Sequence, residues 1–274
     1  GGLISNLTRL KAFPNLKHLE LDDFSSVDDA LKAIASIDTV ESLLIAGDEI
    51  GDQSSSDLQK MSNLNQLEIR ISHDGNKKWG NESPVFTDIG LNTLVNMPSL
   101  TKLTLDDNFL EEQEFAIVFT KQAWERFLKN DKWEELEFRN MTGLTDTVLI
   151  DLAQLPNLKS LELFGCFISD SAGSTLGTSL ARNETIETLT ISRGWEYLNA
   201  FTVTDKFLRS LKENKTIKFL DIEFYDEASK ASLQYVAEMK QLEELYIGAY
   251  GIDFTKEERN ELQKALPNCD INVW

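Results

Sequence analysis

Hydrophobic and polar positions follow the same short phrase nine times along this chain of 274 residues. In each copy an apolar residue precedes a leucine by three positions, and a second apolar residue follows that leucine by two. The nine central leucines, spaced 24 to 36 residues apart, are Leu19, Leu43, Leu67, Leu103, Leu136, Leu161, Leu189, Leu220 and Leu245. The leucine and the apolar residue after it fall on one face of an extended chain. The phrase therefore predicts nine strands with buried central leucines.

Between the strands, the apolar spacing changes to that of helices. Residues 87–97, 144–155 and 204–214 place apolar side chains three and four positions apart, and Ile89 belongs to this pattern in the first of them. Thr255 and Glu258 have the spacing of a capping box, which marks a helix start. Strand–turn–helix units at this period predict a right-handed α/β solenoid, a horseshoe with a parallel sheet on the concave face and helices on the convex face.

Three stretches are longer than the basic unit. Residues 70–86 are predicted to form a polar loop, and residues 111–130 an enlarged helix. The apolar residues expected near one face of that helix are Phe115, Val118, Phe119 and Phe127. Residues 192–203 form an aromatic loop that carries Trp195 and Tyr197. Insertions in solenoids often take part in binding, and we expect this of the aromatic loop.

The segment ISDSAGSTLGTSLARNETIETLTIS (168–192) is similar to the long leucine-rich repeats of the ribonuclease-inhibitor-like superfamily. The resemblance covers about residues 10–274 and is specific for fold rather than function. It implies one domain, 1–274, of about nine repeats with a closing half-repeat at 267–274, in which Ile271 and Val273 form a last strand; whether residues precede position 1 stays open. At the ninth position of the phrase, where that family favours Asn or Cys, only Asn108 and Cys166 fit. We therefore expect an incomplete ladder of asparagine side chains.

Charge limits the class of partner. The chain has 27 basic and 46 acidic residues and a net charge of −19, which disfavours nucleic acid and anionic membranes and favours a protein with a basic surface. Solubility alone would also explain the excess of acids. Cys166 and Cys269 are the only cysteines, which indicates a reducing compartment. We expect a cytoplasmic protein, or one in a host cytosol if it is a secreted bacterial effector.

Five Asn-x-Ser/Thr triplets occur in the sequence. Those at Asn183 and Asn214 lie in the turn before a strand, where the repeat itself favours asparagine and threonine. We therefore interpret them as structural rather than as sites of glycosylation.

Side chains next to the buried leucines are expected on the concave face. The residues that follow the nine leucines are Glu20, Leu44, Glu68, Thr104, Glu137, Glu162, Thr190, Asp221 and Tyr246. Acids stacked in neighbouring strands would repel each other, so the acidic row is either a docking surface for Lys and Arg or a solvated face. The predicted partner-binding residues are Glu137, Glu162, Phe164, Trp195, Tyr197, Phe219, Asp221, Glu223, Glu244 and Tyr246, all but the first in the second half.

Signals of catalysis are few. His18 and His73 lie in different repeats, and no metal, nucleotide or nucleophile motif is present. We therefore expect no enzyme, no cofactor and no metal, but a protein-interaction module such as an effector, a substrate receptor or a scaffold. The alternative is a GTPase-activating protein resembling the Ran regulator, which would use Arg70, Arg139 or Arg193.

Overall fold

The structure is a computed structural model of the chain. It describes residues 7–22, 27–47, 50–72, 86–108, 117–141, 143–166, 169–193, 203–224, 228–250 and 253–274. The chain forms two compact units, the first comprising residues 1–133 and 139–143 and the second residues 134–138 and 144–274.

The first unit alternates parallel strands with helices. Its strands, in their order in the sheet, are β1 (His18–Leu21), β2 (Ser42–Gly47), β3 (Gln66–Ser72) and β4 (Lys102–Asn108). A short 3-10 helix (Thr8–Ala12) comes before β1, and the α-helices are α1 (Val27–Ile34), α2 (Asp52–Leu58), α3 (Asp88–Val95) and α4 (Lys121–Leu128).

The second unit repeats the same alternation. Its strands are β5 (Glu135–Arg139, with Arg139 grouped in the first unit), β6 (Ser160–Phe164), β7 (Thr188–Ser192), β8 (Phe219–Phe224), β9 (Glu244–Ala249) and β10 (Asp270–Val273). The helices are α5 (Asp146–Leu152), α6 (Asp170–Arg182), α7 (Asp205–Leu211), α8 (Ala231–Ala237) and α9 (Lys256–Ala265). The strands from β6 to β10 pair in parallel and in chain order.

The central leucines of the nine phrases hold the register of both units. Leu19, Leu43, Leu67 and Leu103 pair across β1 to β4. Leu161, Leu189, Leu220 and Leu245 do the same across β6 to β9, and Ile271 continues the row in β10. From β2 to β9 each central leucine is at most 2% exposed, whereas Leu19, in the edge strand β1, is half-buried. The predicted strands and the closing strand with Ile271 and Val273 are confirmed.

The helices depart from the prediction at two places. Ile89 is 65% exposed, because it lies two residues before the buried Leu91 and therefore points to the opposite side of α3. The helix predicted over 111–130 begins only at Lys121, where the Thr120 hydroxyl caps it by accepting a hydrogen bond from the Ala123 amide at 3.3 Å. Val118 lies before this helix and is exposed, and residues 111–116 are outside the described residues.

The residue before the α4 cap is part of an aromatic cluster. The ring of Phe119 meets those of Phe86 and Trp124 edge-on, with centroids 6.1 and 5.3 Å away. The predicted polar loop also starts later than expected, since β3 continues to Ser72. Residues 73–85 are outside the described residues.

Asparagines link neighbouring repeats from the turn before the strand. The side-chain amide of Asn183 donates to the carbonyl of Ala153 at 3.1 Å, and that of Asn130 donates to the carbonyl of Val95 at 3.0 Å. Asn214 makes the same kind of link to Leu180. At the ninth position of the phrase, the Cys166 thiol donates to the carbonyl of Phe138 at 3.3 Å. Asparagine links in the turn before the strand thus supplement the incomplete asparagine ladder expected at the ninth position.

Carboxylates make a second set of links, here called the aspartate interlocks. In each, an aspartate that is the first residue of a helix accepts hydrogen bonds from a backbone amide and a hydroxyl at the start of the next helix. The pairs are Asp52 with Thr87, Asp88 with Thr120, Asp146 with Ser169 and Asp205 with Ser229, with amide–carboxylate distances of 2.8 to 3.0 Å. Some of the acidic residues of this chain therefore hold the fold together.

Candidate functional site

The open face of the second unit consists of the side-chain positions that alternate with the buried residues of β5 to β10. Because each strand buries every second side chain, the intervening ones are directed away from the core. Seven of these positions are acidic: Glu135, Glu137, Glu162, Asp221, Glu223, Glu244 and Asp270. Arg139, at the end of β5 and grouped in the first unit, is the single Lys, Arg or His at such a position in these strands. From β6 to β10 the charged residues at these positions are therefore all acidic.

The corresponding positions of the first unit have mixed charge. Glu20, Glu68 and Asp106 lie there together with Arg70 and Lys102. Arg70 and Glu68 form an ion pair, with 2.5 Å between Nε and Oε1. The asymmetry in charge between the two units follows directly from the residues at equivalent strand positions.

In the row that follows the central leucines, uncharged residues separate several of the acids in the register of the sheet. In the second unit, Glu162 pairs with Thr190, Thr190 with Asp221, and Asp221 with Tyr246. In the first unit, Leu44 separates Glu20 from Glu68. Along these registers acids and uncharged residues alternate from strand to strand, whereas Glu137 and Glu162 lie on the neighbouring strands β5 and β6, and Glu244 pairs with Asp270.

Three aromatic rings, here called the aromatic row, cross β8, β9 and the end of β10. The ring centroids of Phe219 and Tyr246 are 5.5 Å apart with an interplanar angle of 34°, and those of Tyr246 and Trp274 are 6.2 Å apart at 61°. Trp274 is 55% exposed. Its backbone stays in the ladder, since its amide donates to Ile247 and its carbonyl accepts from Ala249.

Two carboxylates lie beside the aromatic row. Asp221 and Glu223 are two residues apart on the open side of β8, and Asp221 pairs with Tyr246. Burial raises the pKa of the Asp221 carboxyl to about 6, and the nearby charge of Glu223 adds to this effect. Glu223 accepts a hydrogen bond from the backbone amide of Arg193 at 2.9 Å. Negative charge is thus concentrated next to the rings.

Gly248 lies between these groups. It pairs with Glu223, and a β-carbon placed on it would lie 3.1 Å from Cε2 of Tyr250, 3.2 Å from Cγ of Glu223 and 3.5 Å from Nε1 of Trp274. Two aromatic side chains and one acid therefore converge over a residue without a side chain. Tyr250 is 37% and Trp274 55% exposed, whereas Gly248 beneath them is buried.

The structure brings together half of the predicted partner-binding residues. Phe219, Asp221, Glu223, Glu244 and Tyr246 lie on the adjacent strands β8 and β9. Glu162 and Phe164 are on β6, and Glu137 is on β5, on the same open face. Trp195 and Tyr197 are outside the described residues.

Trp274 and Tyr250 were not predicted for the site. The sequence signal for Trp274 was the alternation in β10, because a strand that directs Ile271 and Val273 to the core side turns the next residue, Trp274, to the open side.

The residues considered for catalysis are distributed differently. His18 is exposed on β1, and His73 is outside the described residues. No group of His, Cys, Asp or Glu among the described residues could hold a metal ion. Arg70 and Arg139 belong to the first unit and Arg193 to the second.

In the described part of the chain, we find no helix with the length and apolarity needed to cross a membrane.

Parallel strands that alternate with helices, with a buried central leucine in each strand from β2 to β9, define a leucine-rich-repeat-like solenoid fold. A chain of the crystal structure of the Rad7 and Elc1 complex in yeast matches it with a TM-score of 0.58 and 16% identity, over 99% of this chain and 73% of that one. This likeness shows the fold.

Two further solved structures are similar at a lower score. An internalin of Listeria monocytogenes matches with a TM-score of 0.48 and 14% identity, over 97% of this chain and 65% of the internalin, so the chain spans less than two thirds of that protein. Leiomodin-1 actin-binding site 2 matches with a TM-score of 0.41 and 17% identity, over 55% of this chain and 86% of that one. No family model and no curated protein matches the sequence.

Proposed function

We propose that this chain is a non-catalytic protein-interaction module of the ribonuclease-inhibitor-like kind, which binds a protein with a basic surface on the open face of its second unit. The observation that carries the proposal is the pairing of the aromatic row with a face that has seven acids and one base, Arg139, at its strand positions. An effector, a substrate receptor or a scaffold in the cytoplasm, or in a host cytosol, would fit this role.

Charge and aromatic surface would contribute differently to binding. Exposed aromatic residues that become desolvated on binding provide most of the energy in many interfaces, and surrounding charges orient the partner and speed its approach. Phe219 and Tyr246 would form the anchor, with Glu162, Asp221 and Glu244 around it. Trp195 and Tyr197 would add to the anchor from the aromatic loop.

The fold supports this function because strands hold the face rigid. Side chains on paired strands need little ordering on binding, which reduces the entropic cost of association. A chain of the Rad7 and Elc1 complex, a structure of two proteins bound together, has the same fold.

The test is affinity capture with the whole chain, followed by kinetic measurements on the partner that is identified. We expect Phe219→Ala to weaken binding by about 2 kcal/mol, mainly through faster dissociation. Glu20→Ala, at an exposed acidic position of the first unit, is the control and should cost well under about 1 kcal/mol. The association rate should fall as salt increases. Larger losses from substitutions in the first unit, or an association rate independent of salt, would contradict the proposal.

The alternative is a GTPase-activating protein, which would need an arginine that reaches the nucleotide. The guanidinium of Arg70 is held by Glu68, so this residue would first have to break an ion pair. A GTP-hydrolysis assay with small GTPases separates the two functions, since an interaction module leaves the hydrolysis rate unchanged.

A further inference from the structure

We infer that the end of the open face formed by Tyr246, Trp274, Asp221 and Glu223 is a binding site for a single arginine side chain of the partner. The inference rests on the proposed function and deepens it, because it names the group that is recognised. Below, these four residues are called the arginine site.

The rings offer surfaces on which a planar cation can stack. Tyr246 and Trp274 are inclined at 61° with centroids 6.2 Å apart, so the two rings are not stacked on one another. Trp274 is more than half exposed. A guanidinium group stacks on aromatic faces and is weakly hydrated, and it therefore loses little when it leaves water for such a surface.

The carboxylates supply the complementary charge. Asp221 and Glu223 occupy successive open positions of β8, and Glu223 accepts a hydrogen bond from the backbone amide of Arg193. Burial and the charge of Glu223 together disfavour ionisation of Asp221, whose pKa is raised to about 6. A guanidinium would offset this cost by donating parallel hydrogen bonds to the carboxylates, as arginine does in bidentate pairs.

Gly248 lets these groups approach the backbone closely. A β-carbon there would lie 3.1 Å from Cε2 of Tyr250, 3.2 Å from Cγ of Glu223 and 3.5 Å from Nε1 of Trp274, so the glycine allows the acid and the rings to pack directly over β9. Any larger residue would push the acid and the rings outward. Gly248→Ala therefore perturbs the arginine site without removing a charge or a ring.

Arginine is favoured over lysine by the combination of rings and paired acids. A lysine ammonium is a compact, strongly hydrated charge; it can lie over a ring, but it is not planar and so cannot stack flat against the ring or form the two-pronged contact with a carboxylate. Both cations would be attracted to the negative face, so a plain electrostatic surface would bind them about equally. The difference between the two side chains is therefore the quantity to measure.

The experiment uses the whole chain and three peptides of four repeated dipeptides, glycine–arginine, glycine–lysine and glycine–citrulline. Binding is followed by NMR through the indole N–H signal of Trp274, which is assigned with Trp274→Phe. We expect the arginine peptide to shift this signal and to bind about tenfold more tightly than the lysine peptide, as stacking and bidentate contacts together allow. The uncharged citrulline peptide should not bind.

Three variants complete the design. Gly248→Ala and Tyr246→Leu should bring the ratio of arginine to lysine affinity close to one, and Glu20→Gln in the first unit should leave the ratio unchanged. Thermal melting of each variant shows whether it is folded. If Gly248→Ala does not fold, Tyr246→Leu and Asp221→Asn test the same ratio.

The outcomes separate the inference from the proposed function. Equal affinity for the arginine and lysine peptides, or no shift of the Trp274 indole, overturns the arginine site, while salt-dependent binding of both peptides still supports an acidic docking face. Failure of both cationic peptides to bind, together with failure to capture a basic partner, overturns both.

Discussion

The side-chain amide of Asn214 donates a hydrogen bond to the carbonyl of Leu180, one repeat back, over 2.8 Å. Its side-chain oxygen accepts from the amides of Thr216 at 2.8 Å and Ile217 at 2.7 Å. One buried side chain thus closes the turn before β8 and fastens it to the preceding repeat. The same geometry at Asn183, with Thr185 and Ile186, supports a structural origin for these two Asn-x-Thr triplets.

Asn214→Ala is expected to destabilise the chain by about 2–3 kcal/mol, because several buried backbone groups lose their partners at once. Chemical denaturation measures the change. Asn63→Ala is the matched control, since Asn63 is exposed and its side chain donates to the carbonyl of Asp38 from the surface; we expect less than about 0.5 kcal/mol there. Similar losses from both variants would show that burial of Asn214 has no special role.

Leu161→Ala should cost about 2–5 kcal/mol, because it leaves a cavity in the fully buried leucine row. Leu19→Ala makes the same chemical change at the equivalent position of the edge strand β1, where the leucine is only half-buried, and should cost clearly less. Chemical denaturation of the two variants, followed to the midpoint of each transition, compares the two losses of stability. A smaller loss for Leu161→Ala than for Leu19→Ala would contradict the burial of the row.

The aspartate interlock at Asp205 makes the stability of the fold depend on pH. Burial tends to raise the pKa of this carboxyl, but hydrogen bonds from Ser229 and Ser232 outweigh burial and leave the pKa lowered. An acid with a lowered folded-state pKa stabilises the fold above its unfolded pKa of about 3.9, and this contribution is lost as pH falls through the folded-state value.

Asp205→Asn should therefore lower stability by about 1 kcal/mol at pH 7, and the difference from the parent should shrink below pH about 4. Melting temperatures measured from pH 7 to pH 3 test this, with Asp38→Asn at an exposed position as the control. A difference that stays constant across the whole range would show that the charge of Asp205 is not involved.

The contribution of Asp221 to folding stability has the opposite pH dependence. Its folded-state pKa of about 6 lies above the unfolded value, so its ionised form costs the folded state free energy at neutral pH, and the cost disappears as pH falls through 6 towards 4. The titratable groups around it are Glu223 on β8, Glu244 and Tyr246 on β9, and Arg193 after β7.

Asp221→Asn should stabilise the free protein at pH 7 by up to about 1 kcal/mol, a value reduced for solvent screening, and should weaken binding of the arginine peptide. Glu244→Gln, at an exposed position of β9, is the control for charge alone. Melting temperatures and peptide titrations at pH 7 and pH 5 measure both effects. An Asp221→Asn variant that is less stable than its parent at pH 7 would contradict the assigned cost.

The strands could be predicted from sequence because their signal is local. Each central leucine with its apolar neighbours specifies a strand, and equal placement of the phrase in each repeat specifies the register of Leu161 with Leu189 and Leu220. The start of α4 was predicted less well, since Phe119 is apolar and continues the helical spacing. The structure uses this side chain before the helix, packed on Phe86, and such a long-range contact leaves no periodic signal.

The site could be predicted in part for a related reason. Phe219 and Tyr246 follow from strand alternation and lie together because their strands are neighbours. Trp274 was missed because only the buried side of β10 was considered. The raised pKa of Asp221 could not be predicted, since it depends on how deeply the carboxyl is buried beside Glu223.

The aspartate interlocks bear on how a chain of this kind can grow or shorten. In each unit, the carboxylate of one repeat meets the hydroxyl and amide at the start of the next helix, as in Asp52 with Thr87 and Asp146 with Ser169. Because the joint is chemically the same at each of these places, duplication or loss of a whole repeat recreates it without further substitutions. The fold therefore tolerates the gain or loss of whole repeats, whereas an insertion or deletion that ends inside a repeat leaves a carboxylate without its hydrogen-bond donors.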